Sequence, residues 1–306
     1  MRIKGANMNS VVDFNQFSNS NYQQLETRFD SEFGVMWSIM RAEPRPCYTT
    51  TCLNELLQHQ TYIHSTQGKI VSQGKVEQIN YFVLASAAKG IFCLGGDLSL
   101  FKQLILARDR ERLVSYGRLC IDNLWLFYGT QSPITTISLV QGQAMGGGFE
   151  SALSAHVLMA EKSALMGLPE VLFNLFPGMG ALSHLSRKIG MPLAEKMVRS
   201  GKIYTGEELY QIGVVDVLAE DGMGEYTLNN WIKKNHRSLN SFQAINQAKQ
   251  RINPLTLEEL YDIVDIWADA ALRLDERNLK VMDRLVRAQN SKVGADVSQI
   301  NERQIA

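Results

Sequence analysis

Cysteine and net charge are the scarce quantities in this chain. Four cysteines among 306 residues (Cys47, Cys52, Cys93 and Cys120) form no CxxC pair and have no histidine nearby. That excludes a disulfide framework and a zinc ribbon, and the expectation is reduced, mostly buried thiols. Lys+Arg and Asp+Glu number 31 each, so the basic footprint of a nucleic-acid-binding protein is missing. The histidines (His59, His64, His156, His184 and His236) are scattered without HxxxH spacing or a Cys/His cluster, and no metal site is expected. No apolar run approaches the ~20 residues of a membrane helix, and the N-terminus lacks the apolar region of a secretory signal. A cytoplasmic location is expected. A GxSxG elbow, a GxGxxG fingerprint and the Lys-Ser/Thr of a phosphate loop are all missing, which sets aside serine-hydrolase, dinucleotide and P-loop chemistry.

What remains is the composition of a globular protein able to bury a sizeable core, 45% hydrophobic and 20% charged. Residues 1–24 are rich in Asn, Ser and Gln and read as a flexible arm, with Val11, Val12, Phe14 and Phe17 as possible docking points. Strands are expected at Val35 to Met40, Tyr81 to Ala85, Ile134 to Val140 and His156 to Ala160. Helices are expected from Thr50 to His64 and, as one long element, from Leu100 to Phe127. Strands alternating with helices predict an α/β sheet built from βαβ units over residues 25–222. Residues 223–306 read as wholly helical, a lid or an oligomerisation region. There Thr256-Leu257-Glu258-Glu259 has the pattern of a capping box. The helix it starts carries Leu260, Ile263, Val264, Trp267, Ala271 and Leu274 on one stripe. That stripe packs on the core, on another subunit, or lines an acyl pocket through Trp267.

Three segments carry candidate chemistry. Gly146-Gly147-Gly148-Phe149-Glu150 follows a β-like run and opens a helix, where backbone N–H groups favour an anion; alone, it fits an ordinary turn equally well. Phe92-Cys93-Leu94-Gly95-Gly96-Asp97 is a second strand-to-helix turn, with Asp97 placed as an N-cap. Two such turns could supply the paired amides of an oxyanion hole. Met166-Gly167-Leu168-Pro169-Glu170 puts a carboxylate in an apolar stretch, either a surface glutamate or a buried acid of raised pKa. Together they suit enolates and tetrahedral intermediates of acyl thioesters.

In this order the segments resemble the crotonase (enoyl-CoA hydratase/isomerase) superfamily, from about Val35 to Leu218. The resemblance includes the Phe176-Pro177-Gly178-Met179-Gly180 loop, Tyr204 to Glu208, and Gly213-Val214-Val215-Asp216. It implies a spiral core of ββα repeats with a C-terminal helical region. It also implies Glu150 and Glu170 as catalytic acids and Leu94 and Gly147 as oxyanion donors. Gly95 and Gly146 would contact substrate, while Met145, Met166, Leu172, Phe176 and Met179 would wall an acyl pocket under a lid of Trp267 and Leu285.

Arg41-Ala42-Glu43-Pro44-Arg45-Pro46 departs from the usual coenzyme A-holding segment. The stretch Met40 to Cys47, the Leu94 to Leu98 turn and the Gly146 to His156 run resemble the diffusible signal factor synthases of Gram-negative bacteria. That likeness implies dehydration of a 3-hydroxyacyl-acyl carrier protein to a cis-2-enoyl thioester, with hydrolysis to the free fatty acid, for quorum sensing. It implies acyl carrier protein as partner and substrate carrier, no cofactor, a membrane sensor kinase as regulator, and a trimer or hexamer. A conventional enoyl-CoA hydratase or isomerase is the alternative enzyme, and a non-catalytic binding protein of the same fold is the alternative class.

Overall fold

A computed structural model describes residues 22–41, 43–129 and 133–291. Residues 1–21 of the expected arm, with its four apolar docking points, lie outside the described residues. Its last residues are tied down rather than loose: the amides of Gln23 and Gln24 donate to the Glu55 carboxylate at 2.8 and 2.9 Å.

Strand β1 (Leu25–Asp30) and β2 (Val35–Met40) lead into α1 (Thr50–Ser65), then the hairpin β3 (Lys69–Ser72) and β4 (Lys75–Gln78). Next come β5 (Tyr81–Ser86), β6 (Ile91–Cys93), α2 (Leu98–Leu106) and α3 (Arg110–Tyr128), followed by β7 (Thr135–Val140), β8 (Gln143–Met145) and α4 (Gly147–Leu153). The third unit has β9 (Val157–Glu161), β10 (Leu165–Gly167), a 3-10 turn at Pro169–Phe173, α5 (Ala181–Ile189) and α6 (Met191–Ser200). Then β11 (Ile203–Thr205), α7 (Gly206–Gln211) and β12 (Val217–Ala219) precede α8 (Gly224–Asn235), α9 (Leu239–Ile252), α10 (Leu257–Ala271) and α11 (Glu276–Ser291).

Each repeat gives one strand to each of two sheets, which is the crotonase-like ββα arrangement. The larger sheet runs β1-β2-β5-β7-β9-β12 and the smaller β11-β10-β8-β6. The larger is parallel except at β1, which pairs antiparallel with β2. Both of its faces are covered, so alternate residues of β5 enter different cores. Phe82 and Leu84 face the main core with Leu53, Leu56 and Phe127. Tyr81 and Val83 face a second core, closed by Leu228 and Ile232 of α8. A strand buried on both faces has no polar side to alternate, hence its unbroken apolar sequence. All four cysteines are free and buried. No helix among the described residues is long and apolar enough to cross a membrane.

Two expectations need correction. The helix expected as continuous from Leu100 to Phe127 is broken between α2 and α3. Arg108 there has φ 52°, and the Asp109 side chain caps α3 by accepting from the Arg112 amide. The box at Thr256 is half formed: Thr256 accepts from the Glu259 amide, but the Glu259 carboxylate bonds Ser183 and Arg187 instead of reaching back. The full reciprocal box is at Thr205 and Glu208.

The left-handed backbone at Arg108 yields a direct test. Arg108→Val should lower stability by about 1 kcal/mol, because a β-branched side chain is disfavoured there, whereas Arg108→Gly should be neutral or slightly stabilising. Thermal melts of the two variants beside wild type check it.

Candidate active site

The smaller sheet brings the candidate segments together. β8 lies between β6 and β10, all parallel, with Ala144 opposite both Cys93 and Met166. The turns that leave these three strands therefore emerge side by side. They carry Leu94 to Asp97, Gly146 to Glu150, and Leu168 to Glu170.

Gly146 joins the second turn to the third. Its φ is 52°, its amide donates to Gly167 O at 2.9 Å, and a Cβ on it would stand 2.3 Å from Glu170 Oε1. Both the backbone conformation and the packed carboxylate demand glycine. One turn into α4, Glu150 is 2% exposed. Its Oε1 accepts the amides of Met179 and Ala181 at 2.8 and 3.1 Å. This gives the Pro177 to Gly180 loop a task that its sequence did not disclose: it holds the Glu150 carboxylate. Gly178 in that loop touches Trp267 of α10, since a Cβ would fall 2.4 Å from the indole.

Burial dominates the acidity of both glutamates. It raises Glu150 to about 7, while the two loop amides pull the other way. It raises Glu170 to about 8, with the charge of Glu150 adding and its own amide opposing. Glu170 Oε2 is buried and no described protein group bonds it. Geometry and acidity agree that a single proton shared by the pair resides mainly on Glu170.

At the first turn the amide expected as an oxyanion donor already has a partner. The Leu94 amide donates to Pro46 O at 2.7 Å, so it is committed to the neighbouring segment. Gly96 instead approaches Gly147, its peptide nitrogen 3.4 Å from where a Gly147 Cβ would be. The turn is well braced. Tyr48 N donates to Gly95 O at 2.8 Å, and the Tyr116 hydroxyl, which donates to Tyr48 O, accepts from Asp97 N. Asp97 caps α2 through the Leu100 amide, as its position suggested, and also pairs with Arg45 at 2.8 Å. Arg45 reaches Ser99 as well. The segment that departs from the coenzyme A pattern is therefore folded onto this turn.

These groups open on a largely apolar cleft, about 990 Å³ including its open mouth. Of the expected contacts, Leu94, Gly95, Gly146, Gly147, Met179, Trp267 and Leu285 line it. Met145, Met166, Leu172 and Phe176 do not. Met166 is fully buried within the smaller sheet and Leu172 is 58% exposed on the outside of the 3-10 turn. Met145 abuts Gly95 through its backbone carbonyl, and Phe176 packs on the core from outside the cleft. The walls come instead from Phe173 and Leu175, and from α1, β5 and α3, which contribute Leu56, Phe82 and Leu124. Their helical and strand periodicity resembles that of any core residue, which is why sequence missed them. Among the described residues, no three His, Cys, Asp or Glu side chains cluster as a metal ion would need.

Both glutamates bind protons more tightly in the folded chain than at the ordinary value of 4.5. Their contribution to stability is thus full below pH 4.5 and is lost as pH rises through about 7 and about 8. Glu150→Gln and Glu170→Gln should each raise the melting temperature at pH 9 by a few degrees, and the gain should vanish near pH 4. Melting curves across that range check the sign.

A profile of the enoyl-CoA hydratase/isomerase family matches residues 72–263. The mitochondrial methylglutaconyl-CoA hydratase of Rattus norvegicus is 31% identical over 144 residues, covering 47% of this chain and 44% of that protein. The mitochondrial enoyl-CoA hydratase domain-containing protein 2 of Mus musculus is 33% identical over 142 residues, 46% of this chain and 45% of its own. The aligned part thus spans less than half the length of these curated relatives. Among solved structures, Pseudomonas aeruginosa DspI superimposes with a TM-score of 0.64 at 21% identity, covering 79% of this chain and 92% of that one. A putative enoyl-CoA hydratase from Streptomyces avermitilis gives 0.70 at 17% identity, covering 91% and 94%. At such identities the structures speak for the fold, whereas the profile spans well over half the sequence: the chain belongs to the enoyl-CoA hydratase/isomerase family.

Proposed function

We propose that the chain is a diffusible signal factor synthase, dehydrating a 3-hydroxyacyl thioester on acyl carrier protein to the cis-2-enoyl thioester and hydrolysing acyl thioesters to free fatty acids. The observation that carries the chemistry is the glutamate pair, poised at about 7 and about 8 in an apolar cleft beside two converging glycine turns. The thioester carbonyl oxygen lies against the amides of Gly147 and Gly96. Tyr48 pairs with the other edge of the Gly96 turn, and the Gly96 nitrogen lies 3.4 Å from where a Gly147 Cβ would stand.

In dehydration the glutamates take one proton from Cα and deliver one to the departing 3-hydroxyl, so the pair ends as it began. One ionised and one protonated carboxyl is the state that permits this. In hydrolysis the ionised carboxylate takes a proton from water as the water adds to the carbonyl, and the same amides hold the tetrahedral oxyanion. The thiolate then leaves with a proton from the pair. No cofactor enters either sequence.

Acyl carrier protein as carrier is supported by the Arg41 to Pro46 departure, whose Arg45 is bonded to Asp97 and Ser99. A trimer or hexamer belongs to the same proposal and is favoured by the apolar exposure of α9, where Ile252 is 83% exposed. The membrane sensor kinase rests on the signal-synthase resemblance, and a cytoplasmic location belongs to the same proposal. A conventional hydratase remains the second reading, because the curated relatives at 31% identity are hydratases by name.

Matched 3-hydroxyacyl thioesters on acyl carrier protein and on coenzyme A, followed by enoyl absorbance and by mass spectrometry of released acid, separate the two. Faster turnover of the carrier-protein form with fatty acid release is the expected result. Hydration of crotonyl-CoA without hydrolysis would sink the proposal in favour of the second reading.

Glu150→Ala and Glu170→Ala should each lower kcat/KM by roughly 100- to 10,000-fold, the usual worth of a general acid or base, with circular dichroism unchanged. The wild-type pH profile should be bell-shaped with its maximum between about 7 and about 8. A rate that keeps rising beyond pH 9 would contradict the shared-proton state.

A further inference from the structure

The cleft has a polar end where a plain hydrocarbon tail needs none. Between α1, α3 and β5 it is walled by Leu53, Leu56, Phe82, Leu84, Leu124 and Phe127. Among them stand Gln60, 4% exposed, and Asn123, 6% exposed. Their amide orientations follow from their partners. Asn123 Nδ2 donates to Leu53 O at 3.1 Å and Leu119 O at 2.9 Å. Backbone carbonyls only accept, so that nitrogen is fixed and Asn123 Oδ1 must face Gln60. Gln60 Nε2 then donates to Oδ1 at 3.0 Å, and turning the Gln60 amide over would set two oxygens against each other. The network therefore leaves Gln60 Oε1 as a buried acceptor, and among the described residues no protein group donates to it.

We infer that this end of the cleft is a subsite for a hydroxyl on the distal part of an acyl chain, donated to Gln60 Oε1, and that Gln60 sets the tail specificity of the enzyme. The inference rests on the acyl-thioester reading of the glutamate site. A buried amide oxygen without a donor carries an unmet hydrogen-bond requirement, and a tail hydroxyl meets it while that one bond places its own proton. A methyl-terminated tail leaves the oxygen dehydrated and unpaired. Sites built to bond a substrate hydroxyl discriminate against the analogue that lacks it far more strongly than apolar pockets discriminate a methylene. Asn123 is the positioning residue: it holds the Gln60 nitrogen and so aims the oxygen.

The test compares 3-hydroxyacyl thioesters of matched length, from octanoyl to hexadecanoyl, with and without a second hydroxyl on the terminal or penultimate carbon. For at least one length, wild-type kcat/KM should favour the tail-hydroxylated chain by roughly tenfold or more, mostly through KM. In Gln60→Leu the preference should reverse toward the plain chain. Should that variant fold poorly, calorimetric binding of a terminally hydroxylated fatty acid against the plain acid to the wild-type protein reads the same preference. Equal turnover of both series by wild type, or a preference that survives in Gln60→Leu, would overturn the subsite while leaving the thioester reading intact. Turnover of neither series, with neither fatty acid bound, would remove both.

Discussion

Two carboxyl groups buried in one apolar cleft cannot both ionise cheaply, and the rest of the site is organised around that constraint. Each would prefer to hold its proton in such surroundings, and each makes ionisation of the other harder. The fold breaks the tie with backbone rather than with a cation. Two loop amides converge on Glu150 Oε1, while Glu170 Oε2 has no described protein donor. The first carboxyl is made the easier to ionise and the second the easier to keep protonated. A lysine or arginine in place of the amides would have fixed a charge permanently; partial dipoles leave the pair adjustable near neutrality.

Backbone donors must be placed by backbone, which explains why the site sits where β6, β8 and β10 of the smaller sheet end. Register between β6, β8 and β10 sets the three turns abreast, and each turn is then locked by a different device. Gly146 bonds back to Gly167. The Gly95 to Asp97 turn is held by Tyr48, Tyr116 and Arg45. The Met179 to Ala181 amides are held by the start of α5 and by Trp267 against Gly178. Trp267 thus serves the chemistry at one remove. It supports the loop that bonds Glu150, in addition to walling the cleft.

The sequence made legible what depends on local chemistry. Glycines before an acid at a helix start marked Gly146 to Glu150 as a candidate segment, and an acid in apolar company marked Glu170; both carboxyls line one cleft. The unbroken apolar run at Tyr81 revealed a strand covered on both faces. What it could not reveal depends on partners distant in sequence. That the Leu94 amide is already taken is decided by Pro46, some fifty residues upstream, accepting its proton. The walls were misplaced for a related reason. Met145, Met166, Leu172 and Phe176 were attractive because they adjoin the motifs in sequence, yet Met166 is buried inside the smaller sheet and Leu172 is on the outward side of the 3-10 turn. The true walls on α1, β5 and α3 carry no mark beyond hydrophobicity. Glu259 shows the same override of a local rule: a capping-box acid was drawn away by Arg187, whose ion pair at 2.7 Å outweighs a reciprocal cap.

Hydration, dehydration and thioester cleavage by one such site differ less than their products suggest. In each, negative charge gathers on the same carbonyl oxygen, so an amide pair that stabilises an enolate also stabilises a tetrahedral oxyanion. On the proposed reading, such a site would not select among these reactions by its oxyanion donors. Selection falls to the positions of water and of the acyl chain relative to the two carboxyls, and both are governed by the cleft. On that reading, an acyl chain lying along α1, β5 and α3 would set the depth of its Cα and carbonyl beside Glu150 and Glu170. The departure from the ordinary pattern lies at the carrier end, in the segment whose Arg45 is bonded to Asp97, rather than among the candidate catalytic groups. A family member that keeps its acids and alters its anchors changes which substrate it takes before it changes what it can do to one.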